Sequence, residues 1–336
     1  MPFLSLVYWL LRRRLRQSWL LLAVTSFGIL ASVTIMSTGA LYSRALGEAG
    51  LRHSLASLNP EVLDVQAIAQ NRPLGRADYD PLESLVRKSA DQRVGELLRG
   101  IERYGRAQPN LLLLNTPTSP MLGAPSGRPF FLTGFQEHAR LTGGRWPESG
   151  GVAESGDIET VVGTETARKS GYEIGDRVFL VPVRGSRERI SFTIVGLTDP
   201  IDAQEEYWMG APVYFDLRPV GESVVAPLYV TEEDFFGLIG ARYPTLVGDF
   251  GFYIFLDSGY LTAGNADAVK AQVDALETDL NKEYPRTLVL SRLGLTVDEF
   301  DKALTLAQVP LYLFLSLVVV VVLYFLALIT GILGRS

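Results

Sequence analysis

The sequence predicts an α+β membrane protein. Two transmembrane helices flank a large extracytoplasmic domain, in which a split α/β subdomain is interrupted by a small β-rich one. Three observations carry this. Residues 17–43 and 303–334 contain no charged side chain, and each segment exceeds the roughly 20 apolar residues that cross a bilayer as a helix. All 37 acidic residues lie between the two segments. That middle region shows two β-α-β patterns separated by a stretch rich in Gly, Pro and short alternating runs.

Residues 1–16 read as a cytoplasmic interfacial segment, with Phe3, Tyr8 and Trp9 at headgroup level before a basic cluster. That cluster, Arg12, Arg13, Arg14 and Arg16, abuts the first span, and Arg335 follows the second. Basic residues beside short flanks stay in the cytoplasm, so both termini are expected there and residues 44–302 outside the membrane. The first span, 17–43, has an apolar core longer than the 7–15 residues of a cleaved signal, so it reads as a retained anchor. Within it Gly28 and Ser32 stand four apart, a small-x-x-x-small pair suited to a close helix–helix contact.

Residues 44–58 read as a stalk helix. The α/β subdomain occupies 59–116 and 224–292. Its first half predicts a strand at 62–69, an amphipathic helix at 79–104 and a buried strand at 111–114. The helix rests on Leu82, Leu85, Val86, Val94, Leu97, Leu98 and Ile101 at helical spacing. The second half predicts a strand at 226–230, a helix opening at Thr231-Glu232-Glu233-Asp234 and a strand at 252–256. A helix at 266–284, on Val269, Val273, Leu276 and Leu280, and a strand at 287–290 complete it. The inserted piece, 117–223, carries strands at 130–135, 177–183 and 190–197, with a hairpin turn at 184–187. A second stalk helix is expected over 293–308, with Thr296 near its start as an N-cap ahead of Asp298 and Glu299. It runs through Pro310 into the second span, 309–334, where five consecutive valines are acceptable because a helix in lipid satisfies its own backbone.

Composition excludes several functions. An acidic outer region is unsuited to nucleic acid. The chain has no cysteine, which removes disulfides, zinc–thiolate sites and thiol nucleophiles. No G-x-x-x-x-G-K-[ST], H-E-x-x-H or G-x-S-x-G occurs. The two histidines, His53 and His138, are far apart and read as ordinary surface or stalk residues. Asp199, Asp202, Glu205 and Glu206 cluster without the order of a calcium loop and read as a solvated turn. No catalytic, cofactor or metal residue is assigned.

One segment has a recognisable order. Leu141-Thr142-Gly143-Gly144-Arg145-Trp146-Pro147 is followed by Glu159-Thr160-Val161-Val162-Gly163. Thr164 through Ala167 then leads to Gly171-Tyr172-Glu173-Ile174-Gly175-Asp176-Arg177-Val178, and a strand ends Ile194-Val195-Gly196. This order resembles the periplasmic core domain of MacB-like and FtsX-like ABC transporter permeases, best over residues 141–198. Gly171 suits a helix C′ position, and Gly175-Asp176 suits a turn that needs positive φ and a side-chain bond to nearby backbone. The resemblance implies a permease in the cell membrane, partnered by a cytoplasmic ABC ATPase and by a second permease copy or half. ATP hydrolysis would belong to the separate ATPase, and the outer domain would serve export, lipoprotein handling or partner activation. Members of that family carry further spans, so the sequence is expected to be the N-terminal part of a larger permease or to work with spans elsewhere. A two-span ligand-binding sensor or adhesion protein is the rival reading.

Overall fold

The computed structural model describes residues 64–108, 110–114, 126–150, 156–182, 188–209, 214–220, 223–262, 264–291 and 293–333. It also describes Trp19, Ser26, Gly28, Leu30, Val33, Thr34, 37–39, Leu41, Tyr42, Ala45 and 48–50. Met1–Ser57, Thr262–Gly264 and Thr296–Ser336 form one unit; Leu58–Leu261 and Asn265–Leu295 form the other.

The larger unit is a mixed α/β fold on one sheet. Its first four-stranded part is antiparallel: β12 (Thr287–Ser291), β1 (Val65–Pro73), β11 (Val247–Leu256) and β2 (Leu98–Ala107), in that order. Helix α1 (Arg76–Val94) and a second long helix, Ala266–Glu283, pack on each other, joined at the surface by Arg93 and Asp279 at 2.7 Å. Their buried faces are those the helical spacing marks: Tyr79, Leu82, Val86, Ala90 and Val94 on one, Val269, Val273, Leu276 and Leu280 on the other. The Tyr79 ring meets Phe236, Phe250 and Phe252 with centroids 4.9, 4.8 and 6.2 Å away, an aromatic cluster that anchors α1 over β11.

The sheet continues from β2 through β4 (Ser126–Leu132), β3 (Asn110–Leu114), β7 (Arg177–Val181), β8 (Ile190–Pro200), β6 (Ile158–Gly163) and β10 (Ser223–Tyr229) to β9 (Arg218–Val220). β5 (Ala139–Gly144) pairs with β8. β6–β8 and β4–β10 are the parallel pairings. The inserted piece therefore shares hydrogen bonds with the α/β part. It also contains helices α2 (Phe135–His138) and α3 (Thr164–Ser170). Its core is aromatic, with Phe130, Phe135, Trp208 and Tyr214 each at most 5% exposed.

Several element bounds are corrected. The helix expected over 79–104 ends at Val94, and Leu98, Ile101 and Tyr104 lie in β2. A turn at Gly95 closes with Leu97 N–H on the Val94 carbonyl at 2.9 Å. The next ten residues then gain a long antiparallel register with β11, from Leu98↔Leu256 to Ala107↔Gly248. Tertiary pairing overrides an accidental helical spacing of three. The last helix starts at Leu293, so Thr296 lies inside it. Ser291 ends β12, and its Oγ accepts the Leu293 N–H at 3.2 Å, which turns the chain three residues earlier than Thr296 would.

Thr231 does cap: its Oγ1 accepts the Asp234 N–H at 3.2 Å, and Glu232–Asp234 runs on into a π-helical turn, Phe235–Gly240; together these are α4, and Ala266–Glu283 is α5. The strand expected at 130–135 stops at Leu132, because Gly134 at φ 73° turns the chain into α2. The hairpin turn expected at 184–187 lies outside the described residues.

In the smaller unit the described positions from Trp19 to Gly50 are helical. The last helix, α6 (Leu293–Leu333), is 41 residues long and passes through Pro310. Gly39 is buried, and a Cβ there would stand 3.2 Å from Leu315 Cδ1, so a small residue permits this helix contact. Gly28 meets no described atom within 4 Å of a Cβ position. Ser32, Arg12, Arg13, Arg14 and Arg16 lie outside the described residues. Among the described residues no helix is long and apolar enough to cross a membrane; side chains at several α6 positions, Leu311, Phe325 and Leu326 among them, lie outside those residues.

Candidate functional site

The recognisable segment is built for packing. Gly144 has φ 73°, and a Cβ on it would lie 2.2 Å from the Val195 carbonyl oxygen. Arg145 N–H donates to that oxygen at 3.0 Å, and its guanidinium holds Glu159 with Nη1 to Oε2 at 2.7 Å. Trp146 sets its ring edge-on to Phe135 and Tyr229, centroids 6.0 and 6.2 Å away. Gly171 ends α3 at φ 69°, its N–H returning to Ala167 O. Gly175 has φ 96° and donates to Ile194 O at 2.8 Å, while Asp176 Oδ2 accepts the Glu173 N–H at 2.9 Å. Each of these residues satisfies backbone or fills a contact, and none presents a reactive group.

A cavity of about 300 Å³ opens where β4 turns into α2 and β10 turns into α4. Its walls include Phe131, Thr133, Gln136, Ser149, Glu232 and Glu233. Beneath it Arg103 on β2 donates to Glu83 at 2.9 Å and to Glu232 at 3.1 Å, and Arg76 reaches Glu232 at 3.1 Å. Ser149 Oγ donates to Glu233 at 3.0 Å. Asp234, fully buried, accepts the Gly150 N–H at 3.0 Å, and burial raises its carboxyl above the ordinary range. The carboxylates here are tied to arginines, a serine and backbone. The arrangement joins α1, β2 and α4 electrostatically, and its Ser149–Glu233 pair lies at the exposed surface.

A second ionic cluster sits at the start of β1. Asp64 Oδ1 accepts the Leu256 N–H at 2.9 Å and lies 3.8 Å from Arg99 Nη2, which also binds Glu206. Burial, added to by the charge of Glu206 and opposed by the Leu256 hydrogen bond, pushes the Asp64 carboxyl up to about 7. A carboxyl whose folded pKa exceeds its unfolded 3.8 binds its proton more tightly when folded. Stability from it is therefore complete at low pH and is lost as pH rises from about 4 to 7. Asp64→Asn keeps an oxygen acceptor for Leu256 without the charge. Its stabilising effect over wild type is expected to be about 2 kcal/mol larger at pH 8 than at pH 5 in chemical unfolding curves. An effect equal at both pH values would contradict this.

Of the acidic turn, Glu205 lies 2.7 Å from His138 Nδ1, Glu206 pairs with Arg99, and Asp202 Oδ1 accepts the Gln204 N–H. Among the described residues no group of three or more His, Asp or Glu could hold a metal ion. The His138 ring stacks on Tyr207 at 3.7 Å; His53 lies outside the described residues. The Arg103 and Asp64 networks escaped sequence reasoning. Arg103 lies in a strand whose spacing reads as helix, and Asp64 acquires partners from β2, β11 and the turn at Glu206–Trp208 that no local pattern announces.

No protein-family model matches the chain, and no curated protein matches it. Among solved structures it is similar to the periplasmic region of MacB from Actinobacillus actinomycetemcomitans, at 11% identity and TM-score 0.38, over 72% of this chain and 95% of that one. It is also similar to a domain of a protein provisionally named a permease from Porphyromonas gingivalis, at 13% identity and TM-score 0.32, over 68% of this chain and 87% of that one. At these scores neither likeness establishes a shared fold.

Proposed function

We propose that this chain is the permease subunit, or the N-terminal part of one, of a MacB-like or FtsX-like ABC transporter in a cell membrane. A separate cytoplasmic ATPase hydrolyses ATP, and a second permease copy or half completes the assembly. The outer domain moves in response, for export, lipoprotein handling or partner activation. The observation that carries the reading is α6. It starts directly after β12 and is 41 residues long. At 1.5 Å per residue that is about 60 Å, roughly twice a hydrocarbon core, which leaves length for a stalk. Leu306, Leu313, Leu317, Val320 and Leu323 on it are each at least 59% exposed, a cost in water that lipid removes. The uncharged first segment, the basic cluster before it and the motif order over residues 141–198 agree. The two segments are then membrane helices, with Arg12, Arg13, Arg14 and Arg16 cytoplasmic. The chain itself performs no catalysis. The test is co-purification from mild detergent: a P-loop ATPase is expected at near-equal amount, and its absence overturns the reading.

A further inference from the structure

Strand β12 closes one end of the sheet, and among the described residues it pairs with β1 alone. Along it side chains alternate between the two faces. Thr287 is buried and Val289 half-buried, on the face that α5 covers. Leu288 and Leu290 point the other way and are 43% and 45% exposed. The register sets Leu288 beside Ile68 and Leu290 beside Gln66 on β1, so the apolar strip continues onto the next strand. No proline, glycine, bulge or charge interrupts Thr287–Ser291.

Other edges of the same sheet are blunted. β9 is three residues long and contains Pro219. β5 pairs only with β8, bulges between Leu141 and Gly143 and carries Arg140. Such devices stop a bare edge from offering its backbone N–H and C=O groups to any passing strand. β12 has none of them, and it adds two leucines in water. The charge around it is distinctive too. Residues 284–297 include Arg286 and Arg292 and no Asp or Glu, in a chain of net charge −6. Arg286 is exposed just before the strand, and Arg72 donates from Nη2 to the neighbouring Pro285 carbonyl at 3.3 Å. This end of the edge is therefore cationic.

We propose that β12 is a docking edge for an extended polypeptide segment of a partner protein. The segment adds a strand beside β12, covers Leu288 and Leu290 with alternate apolar side chains and sets an acidic side chain beside Arg286. Backbone hydrogen bonds hold such a strand, and the alternating side chains select it. A second copy of this chain fits less well. The antiparallel register that pairs all five residues of two β12 strands centres on Val289 and brings Arg286 opposite position 292, again an arginine. Like charges directly opposite are destabilising. The proposal rests on strand placement and charge and does not depend on the permease reading.

The experiment selects a phage-displayed library of random peptides on the chain in neutral detergent, with counter-selection on the double variant Leu288→Lys, Leu290→Lys. Enriched peptides are expected to alternate apolar and polar residues and to carry an acid at one end. The most enriched peptide, followed by fluorescence anisotropy, should bind the double variant at least about tenfold more weakly. Arg286→Glu should weaken it at least about threefold. N-methylation of alternate peptide nitrogens should abolish binding in one phase and spare it in the other, because only every second N–H of an added strand faces β12. Should the double variant fail to fold, Arg286→Glu and the N-methyl pattern still decide. No enrichment over the variant, or equal effects of the two N-methyl phases, overturns the proposal. So does self-association of the chain that Leu288→Lys abolishes, which would give the edge to a second copy.

Discussion

Gly144→Ala is expected to cost about 3 kcal/mol of stability. Two effects add. The residue is held at φ 73°, a left-handed conformation that a side chain disfavours by about 1 kcal/mol. The new methyl would also stand 2.2 Å from the Val195 carbonyl oxygen and 2.7 Å from Gly196 Cα. Both are backbone atoms of β8, held by its pairing with β5 and β6, so neither can swing aside. Gly171→Ala separates the two effects. Gly171 has nearly the same φ, 69°, but a Cβ there meets nothing within 4 Å. It should lose only the conformational part, about 1 kcal/mol. Chemical unfolding of both variants reads the difference, and equal losses would contradict the account of Gly144.

Arg103→Met should be comparably damaging, at about 3 kcal/mol, for an electrostatic reason. The side chain is 18% exposed and holds Glu83 and Glu232, themselves 19% and 18% exposed. Methionine replaces most of the buried stem and leaves two carboxylates short of a partner. Arg87 at 2.8 Å and Arg76 at 3.1 Å still hold one each, so the loss falls at the low end for breaking a buried pair. Burial alone would raise the Glu83 carboxyl, but Arg87 and Arg103 together hold it below its ordinary value. A carboxyl lowered on folding contributes stability above its unfolded pKa and loses it as pH falls. The damage from Arg103→Met should therefore shrink as pH falls through the lowered Glu83 value, where that carboxylate takes up its proton. A loss that is the same at about pH 3 and pH 7 would mean that Arg103 acts through packing alone.

Much of the fold was legible because it depends on local chemistry. Helix α5 has its apolar residues at 3.6-residue spacing, Thr231 is a cap followed by acids, and Gly171 and Gly175 stand where positive φ is required. What was not legible depends on partners distant in sequence. β2 carries apolar residues three apart, and only the β11 register, some 150 residues away, decides that it is a strand. α6 begins at Leu293 and not at Thr296 because β12 ends at Ser291, whose Oγ accepts the Leu293 N–H. The same holds for the sites. Asp64 gathers its partners from three elements. A sequence states which groups exist and leaves open which of them end unpaired.

A permease of the kind we propose is driven by another subunit's ATPase. The most direct measurement is quantitative mass spectrometry of the chain purified from host-cell membranes in mild detergent, with and without ATP. The account predicts one P-loop ATPase recovered in near-equal amount with the chain. Intact recovery of the chain from the membrane with no ATPase under either condition would contradict it and favour a membrane-anchored ligand-binding protein.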